Sequence, residues 1–303
     1  MAHIISQRTR RLTAVIVGGA FLAGVLAGCT TTSPGGGGGG SAGGGASGVG
    51  KTVAQAKKDG YLRVAIANEP PYTQVNADGT VTGAEPDVLH AVLKTMDIPE
   101  IEGVTTPYES MIPGLNAGRW DVVAAGLFMK QSRCAAVAYS EPVIVSTESF
   151  GVPVGNPKNI TTVKNVLDNK DLKIAVLSGG FEEGILKTAK VPSNQQVLVK
   201  DARSGMEAVT AKRADAFLLP TLSLNDLVKS DKSIEVTKPI EDAPKTGSGA
   251  AFRKEDKELR DEYNKALAKF KETPEFAKIL EKWGFDPEAV KGVTSEELCK
   301  NEG

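Results

Sequence analysis

The stretch LRVAIA at residues 62–67 is a short, mostly apolar run that predicts a strand. An amphipathic helix follows it, and this order of strand and helix decides the fold class. Residues 86–96 carry apolar side chains at helical spacing, and Pro86 suits a first helical turn. The alternation continues with a helix at 110–117, strands at 121–125 and 173–177, and a helix that ends at Lys190. A helix at 205–211 and a strand at 214–219 follow. The last third is a charged helical region at 255–283, which is broken near 273–274. Strands alternating with helices predict an α/β fold with largely parallel sheets.

The predicted elements form two groups, one ending near Val145 and one beginning near Val154. Residues 151–157 resemble a strand that turns into a loop, and a second glycine-rich point stands at residues 247–249. Two such crossings predict two lobes joined by a hinge, with a ligand cleft between them. The predicted boundaries are 51–147 for the first part of lobe I, 148–246 for lobe II, and 247–303 for the second part of lobe I with the C-terminal helices.

The composition excludes several classes of function. The 303 residues include 36 basic and 37 acidic side chains, so the formal charge is −1. A nucleic-acid-binding chain would show a basic surplus, so no nucleic-acid partner is predicted. The histidines are His3 and His90, which disfavours a His-rich zinc site and leaves a Ser-His-Asp triad dependent on His90. We predict no metal and no cofactor.

The N-terminus has the order of an export signal, with three arginines before an apolar run at residues 12–27. That run is short and glycine-rich for a membrane span. The following LAGC, residues 26–29, resembles the lipobox of bacterial lipoproteins. The resemblance implies removal of residues 1–28, lipid on Cys29, and a place on the outer face of the cell membrane. An ordinary signal with a coincidental cysteine is the alternative.

Residues 30–50 consist almost wholly of glycine, serine, threonine and alanine. Such a segment cannot bury apolar surface, so it is expected to be a flexible coil. Directly after a lipid anchor it is expected to act as a tether, so residues 29–50 form the predicted anchor and tether. A cloning linker is the alternative.

Two cysteines remain after the signal, Cys134 and Cys299. Outside the cytoplasm an even count favours a disulfide, which would hold the C-terminal tail against the body. Two buried free thiols are the alternative.

An ordered series of short motifs resembles the family-3 solute-binding proteins of ABC importers. The motifs are GYLRVA at 60–65, NEPPY at 68–72, residues 83–87, IPGL at 112–115, GRWDV at 118–122, SR at 132–133, YSEP at 139–142 and FRK at 252–254. The resemblance implies the two-lobed periplasmic-binding-protein fold of type II, a small-solute ligand and permease subunits as partners. It also implies a binding protein and not an enzyme.

Within that family the chain looks most like the ectoine/hydroxyectoine-binding proteins. The motifs that carry this likeness are residues 67–72, 112–121, 124–126, 133–134, 250–257 and 298–299. The resemblance implies that Glu69 meets the ring N–H groups and that Arg133 clamps the ligand carboxylate. It also implies that Tyr72, Tyr108 and Phe128 form an aromatic box. Phenylalanine is expected where Tyr72 stands, so this hydroxyl is a departure.

The chemistry of these residue types agrees with a zwitterionic ligand. Ectoine is a small ring that carries a delocalised amidinium cation and a carboxylate. A diffuse cation suits aromatic faces, at about 0.5–2 kcal/mol for each desolvated contact. A carboxylate suits the planar fork of Arg133, and Glu69 supplies the counter-charge to the cation.

Lobe II is expected to contribute backbone donors. Residues 178–180, SGG, stand between a strand and a helix, where N–H groups favour a carboxylate. Gly180 and Phe181 are therefore predicted to face the ligand, and Gly126 and Thr221 complete the predicted set. Amino-acid binders of this family usually carry an aspartate a few residues after the ADAF motif at 214–217. Here LLPT follows, without an acid.

Other interpretations remain open at this stage. Arg133 could lie on the surface, Glu69 could cap a turn, and the aromatic residues could belong to the core. A polar amino acid or a betaine-like solute could replace ectoine as the ligand. Cyclohexadienyl dehydratases share this fold, and Glu69 is the one candidate acid or base for such an enzyme.

Overall fold

A computed structural model describes residues 50–303. The predicted signal peptide, Cys29 and nearly all of the predicted tether lie outside the described residues. Among the helices of residues 50–303, none combines the length and apolar character that crossing a membrane requires.

Two five-stranded sheets organise the described chain. The strands are β1 (Tyr61–Ile66), β2 (Gln74–Val75), β3 (Val81–Thr82), β4 (Glu100–Thr105), β5 (Val122–Val123), β6 (Ala138–Tyr139), β7 (Ile144–Ser146), β8 (Glu148–Pro153), β9 (Ile174–Leu177), β10 (Gln196–Val199), β11 (Ala216–Pro220), β12 (Ile234–Val236), β13 (Thr246–Ser248) and β14 (Ala251–Phe252). The helices are α1 (Val53–Asp59), α2 (Ala84–Thr95), α3 (Tyr108–Asn116), α4 (Gln131–Ala136), α5 (Val163–Asp168), α6 (Phe181–Thr188), α7 (Ala202–Thr210), α8 (Thr221–Leu227), α9 (Lys257–Lys271), α10 (Pro274–Lys282) and α11 (Ser295–Leu298), with 3₁₀ turns at Ser193–Gln195 and Lys254–Asp256.

The lobe I sheet has the order β4-β1-β5-β14-β6. Strand β1 lies parallel to β4 and β5, and β14 is antiparallel to both of its neighbours. Alternate side chains of β1 enter two different core clusters, with Val64 in one and Ala65 in the other. Helix α2 contributes Val88 to the first cluster and α3 contributes Met111 to the second. Both faces of the sheet are therefore buried, as the apolar run in β1 predicts.

The lobe II sheet has the order β10-β9-β11-β8-β12. Strands β10, β9 and β11 are parallel, whereas β8 and β12 pair in the antiparallel sense. Val176 and Leu177 of β9 point into different core clusters, covered by α6 and α7 respectively. Lobe II thus repeats the two-faced packing of lobe I.

A short antiparallel ladder forms the hinge between the sheets. Strand β7 pairs with β13, with Ser146 opposite Thr246. The chain enters β8 of lobe II directly after β7 and returns to lobe I directly after β13. The two crossings therefore lie side by side, and the predicted two-lobed α/β fold is confirmed.

Most predicted elements occur with shifted ends, and one strand is much shorter than expected. Only Val122–Val123 of the predicted strand at residues 121–125 form β5. The side chain of Asp121 accepts the backbone N–H of Arg63 at 2.9 Å, and Gly126, at φ +66°, turns the chain out of the sheet. The charged helical region is broken where predicted, and Pro274 occupies the first turn of α10.

A disulfide joins Cys134 of α4 to Cys299, which follows α11, with the two Cα atoms 5.8 Å apart. It fastens the C-terminal segment to the short helix that carries Arg133.

Candidate ligand-binding cleft

A small cavity lies between the two lobes, and we call it the cleft cavity. The cavity is nearly closed, with an accessible volume of about 10 Å³. Its lining residues come from both sheets and the segments that follow their strands: Glu69, Tyr72, Tyr108, Gly126, Phe128, Arg133, Leu177, Gly180, Phe181, Glu182 and Pro220. The set includes every predicted ligand-binding residue except Thr221.

Glu69 follows β1 and is buried at the cleft cavity. The hydroxyl of Ser223, from lobe II, donates to its Oε1 at 2.6 Å. The hydroxyl of Tyr108 shares its one proton between Oε2 of Glu69, at 3.3 Å, and the carbonyl of Ala125, at 2.9 Å. Burial raises the pKa of Glu69 to about 7, although both hydrogen bonds act in the opposite direction. No Lys or Arg side chain forms an ion pair with this carboxylate in the described part of the chain. It is therefore a buried acceptor suited to a cationic ligand.

Arg133 lies in α4 and is 6% exposed. Its Nη1 donates to the carbonyl of Phe128 in lobe I, and its Nη2 donates to the carbonyl of Gly179 in lobe II, both at 2.7 Å. The guanidinium therefore bridges the two lobes and also lines the cleft cavity. Two of its five N–H donors are used in these bonds, so it retains donors for an anion.

The aromatic side chains meet edge to face around the cleft cavity. The ring centroids of Tyr72 and Phe128 are 5.7 Å apart, and those of Phe128 and Phe181 are 5.9 Å apart. Tyr108 fixes its ring by donating to the carbonyl of Ala125 at 2.9 Å. The structure brings the three predicted box residues together and adds Phe181 from lobe II.

The hydroxyl of Tyr72 makes a hydrogen bond with the hydroxyl of Ser146, in hinge strand β7. Burial raises the pKa of this phenol well above its usual value, so it stays neutral. The hydroxyl by which Tyr72 differs from phenylalanine is thus hydrogen-bonded to a residue of the hinge strand.

The surroundings of Gly126 leave no room for a side chain. Its φ is +66°, and a Cβ there would lie 2.9 Å from Cδ1 of Tyr72. Its N–H donates to Oε2 of the buried Glu85 at 2.9 Å. Any side chain would push Tyr72 away from Phe128.

Gly179 lies where the lobes come closest. Its φ is +71°, and a Cβ there would lie 2.8 Å from Cα of Glu109 in lobe I. The neighbouring Gly180 is the N-cap of α6, and Phe181 is its first residue. Both line the cleft cavity, and their predicted contact with a ligand stays a prediction. The N–H of Gly180 donates to the carbonyl of Leu177 at 2.9 Å.

Thr221 is not part of the lining, so its contact with a ligand stays a prediction. Its hydroxyl donates to the carbonyl of Thr147 at 2.9 Å and bonds with the hydroxyl of Ser149 at 2.8 Å. These bonds hold the start of α8 against β8, and the preceding Pro220 faces the cavity instead.

Sequence reasoning missed three lining residues, Leu177, Glu182 and Pro220, and the Ser223 contact to Glu69. Glu182 follows Phe181 directly, so its place in the first turn of a helix that begins at the cleft was an available signal. The others depend on how the two lobes face each other, which one sequence does not reveal.

A larger open depression of about 960 Å³ lies elsewhere on lobe I. Several of its charged groups already pair, with Nη2 of Arg63 2.9 Å from Oδ1 of Asp121 and Nζ of Lys51 3.0 Å from Oδ2 of Asp59. The cleft cavity, with its unpaired carboxylate and open guanidinium donors, is the better candidate site. No group of three or more metal-ligating side chains occurs within residues 50–303.

Comparison with known proteins identifies the class. The model of the bacterial extracellular solute-binding proteins, family 3, matches residues 62–286. The chain belongs to this family, whose members are extracytoplasmic binding components of ABC importers.

The names of individual relatives state different ligands. A probable amino-acid ABC transporter periplasmic-binding protein of Sinorhizobium fredii, y4tE, is 35% identical over 82% of this chain and 86% of its own length. A crystal structure of EhuB in complex with hydroxyectoine has 46% identity and a TM-score of 0.79, covering 82% of this chain and 97% of that one. An ancestral amino acid-binding protein, described as a precursor of cyclohexadienyl dehydratase, has 25% identity and a TM-score of 0.68, covering 76% and 98%.

Proposed function

We propose that this protein captures ectoine or hydroxyectoine in the cleft cavity for an ABC importer. The observation that carries the proposal is the placement of Glu69 and Arg133 in one buried cavity walled by aromatic rings. The ligand carboxylate binds the free donors of Arg133, and the ring amidinium binds the carboxylate of Glu69. The similarity to the hydroxyectoine complex of EhuB supports this ligand class.

The charge balance of the cavity explains why a zwitterion fits. In the absence of ligand the buried Glu69 has no cation beside it, and burial raises its pKa to about 7. An amidinium at this position supplies the missing counter-charge and favours the ionised carboxylate. The aromatic faces of Tyr72, Phe128 and Phe181 exclude water and stabilise a diffuse cation.

The ligand also links the lobes. Arg133 and Glu69 belong to lobe I, yet each already contacts lobe II, at Gly179 and at Ser223. A ligand held by these two side chains would also touch Gly180 and Phe181 of lobe II, which line the same cavity. Those contacts are available only in the closed form, so the ligand shifts the equilibrium toward closure. The closed form is then recognised by the permease subunits.

We further propose that the protein is exported by the signal at residues 1–28. Lipid on Cys29 anchors it to the outer face of the membrane, with residues 29–50 as a tether. No membrane contact beyond this anchor and no cofactor is proposed.

A polar amino acid is the second candidate ligand, because y4tE is named as an amino-acid binding protein. Glu182 gives the lobe II wall a carboxylate that an α-ammonium group could use. Residues 218–221, which directly follow the ADAF motif, nevertheless include no acid, and Pro220 lines the cavity there.

Calorimetric titration of the purified protein with ectoine, hydroxyectoine, glutamine and arginine separates these candidates. The proposal predicts one site for ectoine or hydroxyectoine, at least about a hundredfold tighter than either amino acid, because a free ammonium lacks its usual partner. Tighter binding of glutamine or arginine, or no binding of either ectoine, would overturn it.

A further inference from the structure

The lobe II wall of the cleft cavity contains one charged side chain, Glu182, within the described residues. It lies in the first turn of α6 and is 3% exposed. Its carboxylate folds back over the start of that helix, because a Cβ on Gly180 would lie 2.7 Å from its Oε2. The remaining lobe II residues of the lining are apolar or glycine: Leu177, Gly180, Phe181 and Pro220. Any polar group of a solute turned toward lobe II therefore meets Glu182.

A second buried glutamate, Glu148, supports Glu182 from the first residue of β8. The hydroxyl of Thr246 donates to Oε1 of Glu148 at 3.1 Å, whereas Oε2 of Glu148 is buried and has no hydrogen-bond partner among the described residues. The charges of Glu148 and Glu182 interact, and two like charges in a buried site favour protonation of one of them. Burial, followed by the charge of Glu182, raises the pKa of Glu148 well above its usual value, which favours its protonated form.

With Glu148 protonated, Glu182 is the member of the pair that carries the negative charge above its own raised pKa. Burial is the main influence on its pKa and raises it, while its own backbone N–H and the charges of Arg133 and Lys130 favour ionisation. Glu69 faces the pair across the cavity with a charge of the same sign. A carboxylate has about four acceptor positions, so Glu182 retains capacity for a further hydrogen bond.

We propose that Glu182, positioned by Glu148, is a specificity-determining residue that accepts a hydrogen bond from a hydroxyl group on the solute face turned toward lobe II. This inference rests on the proposed function and names the preferred solute, because it makes hydroxyectoine a better ligand than ectoine. A hydroxyl can donate to the carboxylate, whereas a ring methylene at the same place leaves the buried acceptor unpaired.

The test is the ratio of the hydroxyectoine and ectoine affinities, measured by calorimetry in one buffer at pH 7.5 or above. The ratio cancels losses of affinity that both ligands share. The expected wild-type ratio is about ten, the value of one hydrogen bond to a charged group. Glu182→Met keeps the length of the side chain and removes its oxygens, so the ratio should fall to about one.

Three further variants make the result specific. Glu148→Gln places an amide donor beside Glu182 and should retain the preference for hydroxyectoine. Glu182→Gln keeps a weaker, neutral acceptor, so its affinity ratio should lie between those of the wild type and Glu182→Met. This variant also tests the inference if Glu182→Met fails to fold. Glu207→Gln changes an exposed glutamate of α7 that pairs with Arg203, and should keep the wild-type ratio.

The outcomes separate this inference from the proposed function. If both solutes bind with a ratio near one in the wild type, or if the ratio survives Glu182→Met, the role of Glu182 is wrong and the proposed function stands. If neither solute binds the wild type, both fail. The inference is supported if the ratio falls to about one in Glu182→Met, is intermediate in Glu182→Gln, and stays at the wild-type value in Glu148→Gln and Glu207→Gln.

Discussion

The two walls of the cleft differ in how they are built. The lobe I wall carries the charges for a zwitterion, Glu69 and Arg133, on segments that follow lobe I strands. The lobe II wall is formed around the start of α6 and closes on these groups through Ser223 and the carbonyl of Gly179. In the proposed function, lobe I therefore supplies most of the recognition, and lobe II supplies closure and selectivity. The predictions that follow test this division.

The largest effect is expected for Arg133→Ala. The variant loses the charged fork for the ligand carboxylate and the bond to Gly179, so affinity for ectoine should fall by about a thousandfold. Calorimetry measures the loss, and a thermal melt checks that the variant is folded. Arg203→Ala, at an exposed arginine of lobe II, is the matched control and should bind as the wild type does. Unchanged affinity in Arg133→Ala would refute the carboxylate clamp.

Glu69→Gln should lower affinity by about a hundredfold, because the amidinium loses its counter-charge. In the wild type, affinity should fall as the pH decreases from about 8 to about 5. Protonation of Glu69, whose pKa is raised to about 7 in the ligand-free cavity, removes the charge that the cation requires. The variant should lose most of this pH dependence. If its pH profile matches that of the wild type, Glu69 is not the titrating group.

Gly179→Ala tests the closing function of lobe II. The added methyl group would collide with the backbone of Glu109, at a residue whose φ of +71° already disfavours a side chain. We expect about a tenfold weaker affinity, because the closed form is disfavoured while the lobe I groups are retained. Small-angle scattering should show less compaction on adding ligand. Wild-type affinity with full compaction would mean that the lobes do not need this close approach.

The smallest effect is expected for Thr221→Val. The structure places this hydroxyl against Thr147 and Ser149, so affinity should change by less than about threefold. Its loss should instead lower the free energy of unfolding by about 1 kcal/mol, measured by denaturant titration. A loss of affinity beyond tenfold with unchanged stability would restore Thr221 to the ligand site.

The comparison of the two walls also shows what the sequence could and could not predict. Glu69 and Arg133 were predictable because each stands in a motif typical of the family and near a strand whose pattern is clear. Ser223 was missed because its partner, Glu69, is 154 residues away along the chain. Glu182 was missed although its place directly after Phe181, at the start of α6, was visible in the sequence. Thr221 lies outside the lining because a one-residue difference at the end of β11 decides which side chain faces the cavity, so its ligand contact stays a prediction.

The fold itself was largely predictable, because buried parallel strands and amphipathic helices leave strong patterns. The shortened strand β5 was not, since the side chain of Asp121 binds Arg63 and Gly126 redirects the chain toward the cleft. Irregular backbone at this point helps form the binding site, which local periodicity does not encode.

A crystal structure of the protein soaked or grown with ectoine tests the central claim most directly. The account predicts the ligand inside the cleft cavity, with its carboxylate on the guanidinium of Arg133 and its ring nitrogens within hydrogen-bonding distance of Glu69. A ligand bound outside this cavity, or bound with its carboxylate directed away from Arg133, would contradict the account.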